Sequence, residues 1–199
     1  MNSEKARTRN RRSRKTETAV LDAALSCFHE QGVLATSMDA IAERADVARA
    51  TIYYNFASKD EIAVRIAERF RADGYAAYVR QRDSGGDALT LIESFFEFAG
   101  AWVSEHREVA MIGTLAAVRG VGRNPERPPT TQVFHEMVEL GQKQQLIRQD
   151  VNAWTLAGIL AGILTQSALV GRRDDGHRHE DQLLDMVRVV LGGVNFRGH

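Results

Sequence analysis

Residues Thr36–Glu61, TSMDAIAERADVARATIYYNFASKDE, decide how this chain folds. Met38, Ile41, Ala42 and Ala45 recur at helical spacing, and a second short helix is predicted over Arg49–Tyr54. Asp46 falls at the tight turn between them. Such a turn commonly needs a left-handed backbone, which Asp tolerates better than most residues. Val47 and Ile52 would plug the small core beneath. This is the plan of a helix-turn-helix, whose second helix lies in the major groove of duplex DNA. Arg49, Ala50, Thr51, Tyr53, Tyr54 and Asn55 surround the exposed end of that helix, and Ser37 is counted with them as a DNA contact. Arg suits guanine edges and Asn adenine edges. Thr and Tyr suit phosphate oxygens, and Ala suits the thymine methyl. The competing reading, ordinary surface polars on a small bundle, leaves two neighbouring exposed tyrosines without a reason.

Charge points the same way. The 199-residue chain has net charge zero, yet residues 1–15 hold Lys5, Arg7, Arg9, Arg11, Arg12, Arg14 and Lys15 against the single acid Glu4. That segment is net +6, so residues 16–199 are net −6. A basic arm on a mildly acidic body fits local contact with nucleic acid rather than general stickiness. Residues 1–15 are therefore expected to form a disordered basic arm, with Arg12 and Arg14 adding affinity for the DNA backbone or entering a minor groove. Lys59 sits in the first turn of the next helix, where a cation opposes the macrodipole. It is expected to help that helix terminus hold a phosphate.

The rest of the chain reads as helix. Its three prolines lie at 125, 128 and 129, and no strand pattern occurs. Ser58-Lys59-Asp60-Glu61 is a capping-box start for a helix running to about Arg82. Further helices are expected over Asp87–Glu105, Val109–Arg119, Thr130–Gln145, Ala153–Val170 and Glu180–Leu191. Gly74, inside the fourth helix, is a candidate bend. At 44% hydrophobic the chain can bury a core. Cys27 is its only cysteine, which excludes an intrachain disulfide and fits a reducing, cytoplasmic setting. No apolar run reaches the length of a membrane span, and residues 1–15 have no apolar signal-peptide core.

These residues resemble the TetR family of bacterial transcriptional regulators, most specifically through Ile41-Ala42-Glu43-Arg44-Ala45 and Thr51-Ile52-Tyr53-Tyr54-Asn55-Phe56-Ala57-Ser58-Lys59. The resemblance implies an all-α homodimer of about nine helices per chain. A helix-turn-helix domain (16–57) would bind operator DNA, and residues 58–199 would form the ligand-binding and dimerisation domain. Three departures stand out. Asp46 replaces the usual turn glycine, and Ala48 replaces a capping serine. Asp39 puts negative charge on a helix that can touch DNA in such proteins, and it is not expected to read bases.

An effector site is implied by the resemblance, and it must be sought among core-like residues. Phe95, Phe98, Trp102, Met111, Phe134 and Met137 are the large apolar candidates. Glu97 and Gln166 are polar groups on apolar helices, where a buried polar atom needs a partner. Their aromatic content suggests an apolar or aromatic small molecule. For dimerisation the candidates are Gly158 and Gly162, whose spacing admits a close helix, and Leu183, Val187 and Val190 on the last helix.

No cofactor is expected, because there is no P-loop and no dinucleotide fingerprint. No catalytic residue is assigned, since there is no Gly-x-Ser-x-Gly and no nucleophile–base set. No metal site is assigned either. His135-Glu136-Met137-Val138-Glu139 lacks a second histidine, and His177-Arg178-His179 reads as a solvated linker. The expectation is a repressor released from its operator by a ligand. An activator or corepressor-dependent regulator of the same fold is the alternative. A small all-α enzyme or ligand carrier with a vestigial helix-turn-helix is the alternative of a different class.

Overall fold

A computed structural model of the chain describes residues 2–120, 129–170 and 179–194. Its elements are helices: α1 Asn2–Ala35, α2 Met38–Arg44, α3 Arg49–Asn55, α4 Lys59–Asp83, α5 Ala88–Glu105, α6 Arg107–Val118, α7 Thr130–Lys143, α8 Ala153–Val170 and α9 His179–Val194. No strand occurs among the described residues, so the all-α expectation holds. None of these helices is long and apolar enough to cross a membrane.

Two compact units divide the chain, one made of Met1–Glu68 with Glu108–Gly122, the other of Arg69–Arg107 with Arg123–His199. In the first, α1 carries helical backbone from Asn2 onward, through the segment read above as a disordered arm. No glycine or proline precedes Gly32, and Arg and Lys are good helix formers. Gly32 breaks the helix at φ 81°, ψ 160°, a backbone that residues with a Cβ avoid. The Val33 N–H freed by this break donates to Glu108 Oε2 of α6 at 2.6 Å. Val20, Leu21, Ala24 and Phe28 of α1 are buried, as are Ile41, Ala42, Ile52, Phe56, Ile62 and Ile66.

In the second unit, α5, α7, α8 and α9 enclose one apolar cluster built around Phe96, Phe134, Met137, Leu160 and Val187, all fully buried. Phe96 stacks on Phe134 with ring centroids 5.2 Å apart, and Phe95 meets Phe134 edge-on at 5.1 Å. Burying a side chain of this size stabilises by about 1.5–3 kcal/mol. Asp87 caps α5 by accepting from the Thr90 N–H at 3.0 Å. Helix α4 runs unbroken through Gly74. The glycine gives room to α5: a Cβ at Gly74 would lie 3.1 Å from Phe98 Cε1.

Candidate nucleic-acid interface

The surface that could meet DNA is built from α2, the turn and α3. Ser37 caps α2, its Oγ accepting from the Ala40 N–H at 3.1 Å. Asp46 takes φ 52°, the left-handed conformation expected of the turn. The Val47 N–H then closes back onto the Ala42 carbonyl at 3.0 Å. Ile52 is fully buried, which fixes the rotation of α3. That rotation turns Arg49, Ala50, Tyr53, Tyr54 and Asn55 outward and leaves Thr51 half-buried. Tyr54 is 89% exposed, unusual for so large a ring. No side chain caps α3, because Ala48 has no acceptor to offer.

Polar contacts within the protein engage four of the candidate residues. Asn55 Nδ2 donates to the Thr51 carbonyl of its own helix at 2.7 Å, which engages one of its two amide hydrogens. Arg49 pairs with Asp39, Nη2 to Oδ2 at 2.5 Å. The Tyr53 hydroxyl points at the other oxygen of the same carboxylate, at 3.5 Å. Lys59 departs furthest from expectation. Its Nζ donates to the carbonyls of Leu34 at 2.6 Å and Thr36 at 3.0 Å. The misplaced cation in the first turn of α4 is thus a strap onto the C-terminal end of α1, with a single donor left for phosphate. The capping box at this helix start is shared differently than its motif suggests. Ser58 Oγ accepts from the Glu61 N–H, and Glu61 reaches back to the Ala57 N–H rather than to that of Ser58.

Arg44 grips Glu30 with both Nη atoms, at 2.6 and 2.7 Å, pinning α2 to α1. The Arg44 hydrogen bond holds the Glu30 carboxyl below its ordinary range. Arg14 is exposed on α1. Arg12 lies outside the residues whose side chains are described. The Asp39 pairing and the Lys59 strap were both missed from the sequence. Each joins residues on different helices, at separations that no helical period marks.

The regulatory candidates separate on inspection. Phe70, on α4, stacks on Phe98 at 4.6 Å and on Trp102 at 4.2 Å, with planes within 16° of parallel. Phe98 is 41% exposed, while Phe95 and Trp102 are half-buried. Phe134 and Met137, by contrast, are fully buried in the core of the second unit. Glu97 and Gln166 are exposed, so the premise that they are buried polar groups fails. Met111 belongs to the first unit and is exposed on α6. His135 stacks on Trp154 at 4.0 Å and faces Glu139 at 3.9 Å. The side chains of His177 and His179 lie outside those described.

The dimerisation candidates separate too. Gly158 and Gly162 are exposed, and a Cβ on either would touch nothing within 4 Å. Leu183 and Val187 are buried inside the protomer, and Val190 packs against the same cluster. The apolar stripe of α9 is covered by the chain's own helices. Among the described residues, Met186 and Val189 of α9 and Ile159 of α8 are exposed instead.

Residues 20–66 match the family described as bacterial regulatory proteins, tetR family. The A-factor receptor protein of Streptomyces griseus is 27% identical over 190 residues, covering 94% of this chain and 66% of that protein. The chain thus spans just under two thirds of that relative's length. Among solved structures, the Thermus thermophilus FadR, a TetR-family transcriptional repressor in complex with lauroyl-CoA, superposes with TM-score 0.67 at 18% identity. It covers 92% of this chain and 97% of its own. A TetR-family transcriptional regulator from Pectobacterium atrosepticum superposes with TM-score 0.72 at 18% identity, covering 94% of this chain and 98% of its own.

Proposed function

We infer that this chain, which belongs to the tetR family of bacterial regulatory proteins, is a ligand-responsive regulator of transcription. In this reading it is a cytoplasmic repressor that leaves its operator when a small apolar or aromatic molecule binds. One observation carries the DNA half. Helix α3 is locked in rotation by fully buried Ile52 and turns Arg49, Ala50, Tyr53 and Tyr54 outward around a turn with the left-handed Asp46. The module of residues 16–57 reads the duplex, and residues 58–199 take the effector and a second copy of the chain.

Support for the effector is the stack of Phe98, Phe70 and Trp102, whose rings present apolar faces at an incompletely buried position. The structural neighbour that holds lauroyl-CoA binds a molecule with an apolar acyl chain. Dimerisation would use the open Gly158/Gly162 face of α8 with Met186 and Val189 of α9.

Fluorescence anisotropy with labelled duplex from the region flanking the protein's own gene tests this reading. The parent should bind that duplex more tightly than a scrambled one, and Tyr54→Ala should lower the difference. Equal affinity for both duplexes at every salt concentration refutes sequence-specific regulation. An effector must weaken operator binding by the same factor by which operator weakens the effector.

A further inference from the structure

The segment from Thr36 to Lys59 contains three cations, Arg44, Arg49 and Lys59, and each is already engaged by the protein. Arg44 is held by Glu30, Lys59 by the Leu34 and Thr36 carbonyls, and Arg49 by Asp39. The first two ties join helices and serve the fold. The third does not: both its partners lie on the reading surface, with side chains 73% and 43% exposed. Asp39 sits in the first turn of α2, where the helix dipole favours a carboxylate. Arg49 sits in the first turn of α3, where that dipole disfavours a cation. Asp39 therefore offsets a charge that α3 itself does not stabilise, and it draws in the Tyr53 hydroxyl as well.

An exposed ion pair is worth about 0–1 kcal/mol. It orients Arg49 without locking it, and a bidentate guanine edge can displace or share it. A phosphate approaching the same spot meets the Asp39 charge. We propose that Asp39 is the specificity-setting residue of this interface, withholding Arg49 and Tyr53 from backbone phosphates while leaving them available to a matching base. This rests on the DNA-reading function inferred above and assigns Asp39 a role in that site. It is a positioning residue, acting through its two partners.

The experiment uses the full-length protein and two probes: a duplex of random sequence, and a duplex the parent has selected from a randomised pool. Affinity is measured across a salt series for the parent, Asp39→Asn, Arg49→Ala and the double variant. Asp39→Asn should bind random duplex about fivefold more tightly. It should also steepen the slope of log affinity against log salt by about one phosphate's worth. Its affinity for the selected duplex should rise less, so the ratio between the probes falls. In the Arg49→Ala background the Asp39 change should have a smaller effect, carried by the Tyr53 hydroxyl and the lost carboxylate charge alone. Circular dichroism and thermal melting report whether each variant keeps its fold.

Three results overturn the proposal. One is a folded Asp39→Asn protein with parental affinity and slope on random duplex. Another is a loss on the selected duplex larger than any change on random duplex. The third is an undiminished Asp39 effect when Arg49 is absent. A parent that binds no duplex overturns both this proposal and the DNA-reading function, whereas a parent that selects a sequence while Asp39→Asn changes nothing overturns the proposal alone.

Discussion

Lys59→Met separates a strap from a phosphate contact. Methionine keeps the aliphatic stem and removes the ammonium. In the folded protein that ammonium donates to the Leu34 carbonyl at 2.6 Å and the Thr36 carbonyl at 3.0 Å. Hydrogen bonds to a charged group contribute about 1.5–3 kcal/mol each when shielded. Two facts reduce that here. Lys59 is only half-buried, and Leu34, at 89% exposure, lets water replace the donor at its carbonyl. Thr36 is buried at 2%, so its carbonyl is harder to rehydrate and supplies most of the loss. The expected destabilisation is about 1–2 kcal/mol. For a chain of this length that lowers Tm by about 2–8 °C.

Thermal melts followed by circular dichroism, at low salt and at 1 M NaCl, check this number. Short hydrogen bonds to carbonyls persist at high salt, whereas an exposed charge effect is screened there. The Tm difference between parent and variant should therefore survive in 1 M NaCl. Operator affinity should fall because α1 and α4 lose their tie, with the salt slope unchanged. A variant with parental Tm and a salt slope smaller by about one would refute the strap and return Lys59 to the phosphate backbone.

Three further outcomes follow from local geometry. Asp46→Gly relieves a left-handed backbone at φ 52° and should raise Tm by about 2 °C, partly offset by the greater freedom of glycine in the unfolded chain. A lower Tm would mean that the Asp46 side chain contributes more than its backbone costs. Gly141→Ala should destabilise by about 1–3 kcal/mol, since its Cβ would lie 2.6 Å from Ile147 Cδ1 and 3.0 Å from Ala88 Cβ; adding Ile147→Val should recover part of the loss in the same melts. Burial pushes the Tyr78 phenol up from its ordinary value, with the Glu136 carboxylate adding to the effect. A raised folded value means the stabilisation is complete below the unfolded pKa of about 10 and is lost as pH rises through the folded value. Tyr78→Phe should therefore flatten the fall of Tm above pH 10, while the Cys27 thiol, also raised by burial, keeps a loss that begins at lower pH. An unchanged alkaline limb in Tyr78→Phe would assign the loss elsewhere.

Helix positions were legible in the sequence because their signals are local. Ala153–Val170 is bounded as the periodicity predicts, and Asp46 adopts the backbone that the turn demanded. Asp87 and Ser58 cap the helices whose starts they mark. The misreadings have one physical origin: a side chain's need for a partner is visible in sequence, but the partner's identity is tertiary. A cation at Lys59, in a first turn, points to a phosphate from the sequence, whereas its bonds to the Leu34 and Thr36 carbonyls depend on where α1 ends. Phe134 and Met137 looked no different from Phe98, because all are large and apolar on amphipathic helices. Only packing distinguishes the rings enclosed by Phe96 from the one left 41% exposed.

The last helix poses the same problem most sharply, and it can be tested. Leu183 and Val187 make the clearest apolar stripe of α9, and a stripe needs cover, but the cover is the chain's own core. Among the described residues, Met186 at 43%, Val189 at 74% and Ile159 at 44% exposure stay outside, with the open glycines on α8. Tyr53 and Tyr54 on α3 are also exposed, but their hydroxyls suit a wet, polar partner such as DNA. Aliphatic groups beside glycines suit a dry contact between helix backbones, which a second copy of the chain supplies under the proposed dimer. Two substitutions should then behave oppositely in analytical ultracentrifugation and thermal melting. Val189→Glu should shift dimer to monomer and leave the helical content of each protomer intact. Leu183→Ala should instead lower protomer stability by about 2–5 kcal/mol, the cost of emptying a buried site, while the folded fraction still dimerises. If Val189→Glu sediments as the parent does and Leu183→Ala alone dissociates, the α9 stripe is the subunit contact and its burial within one protomer has been misjudged.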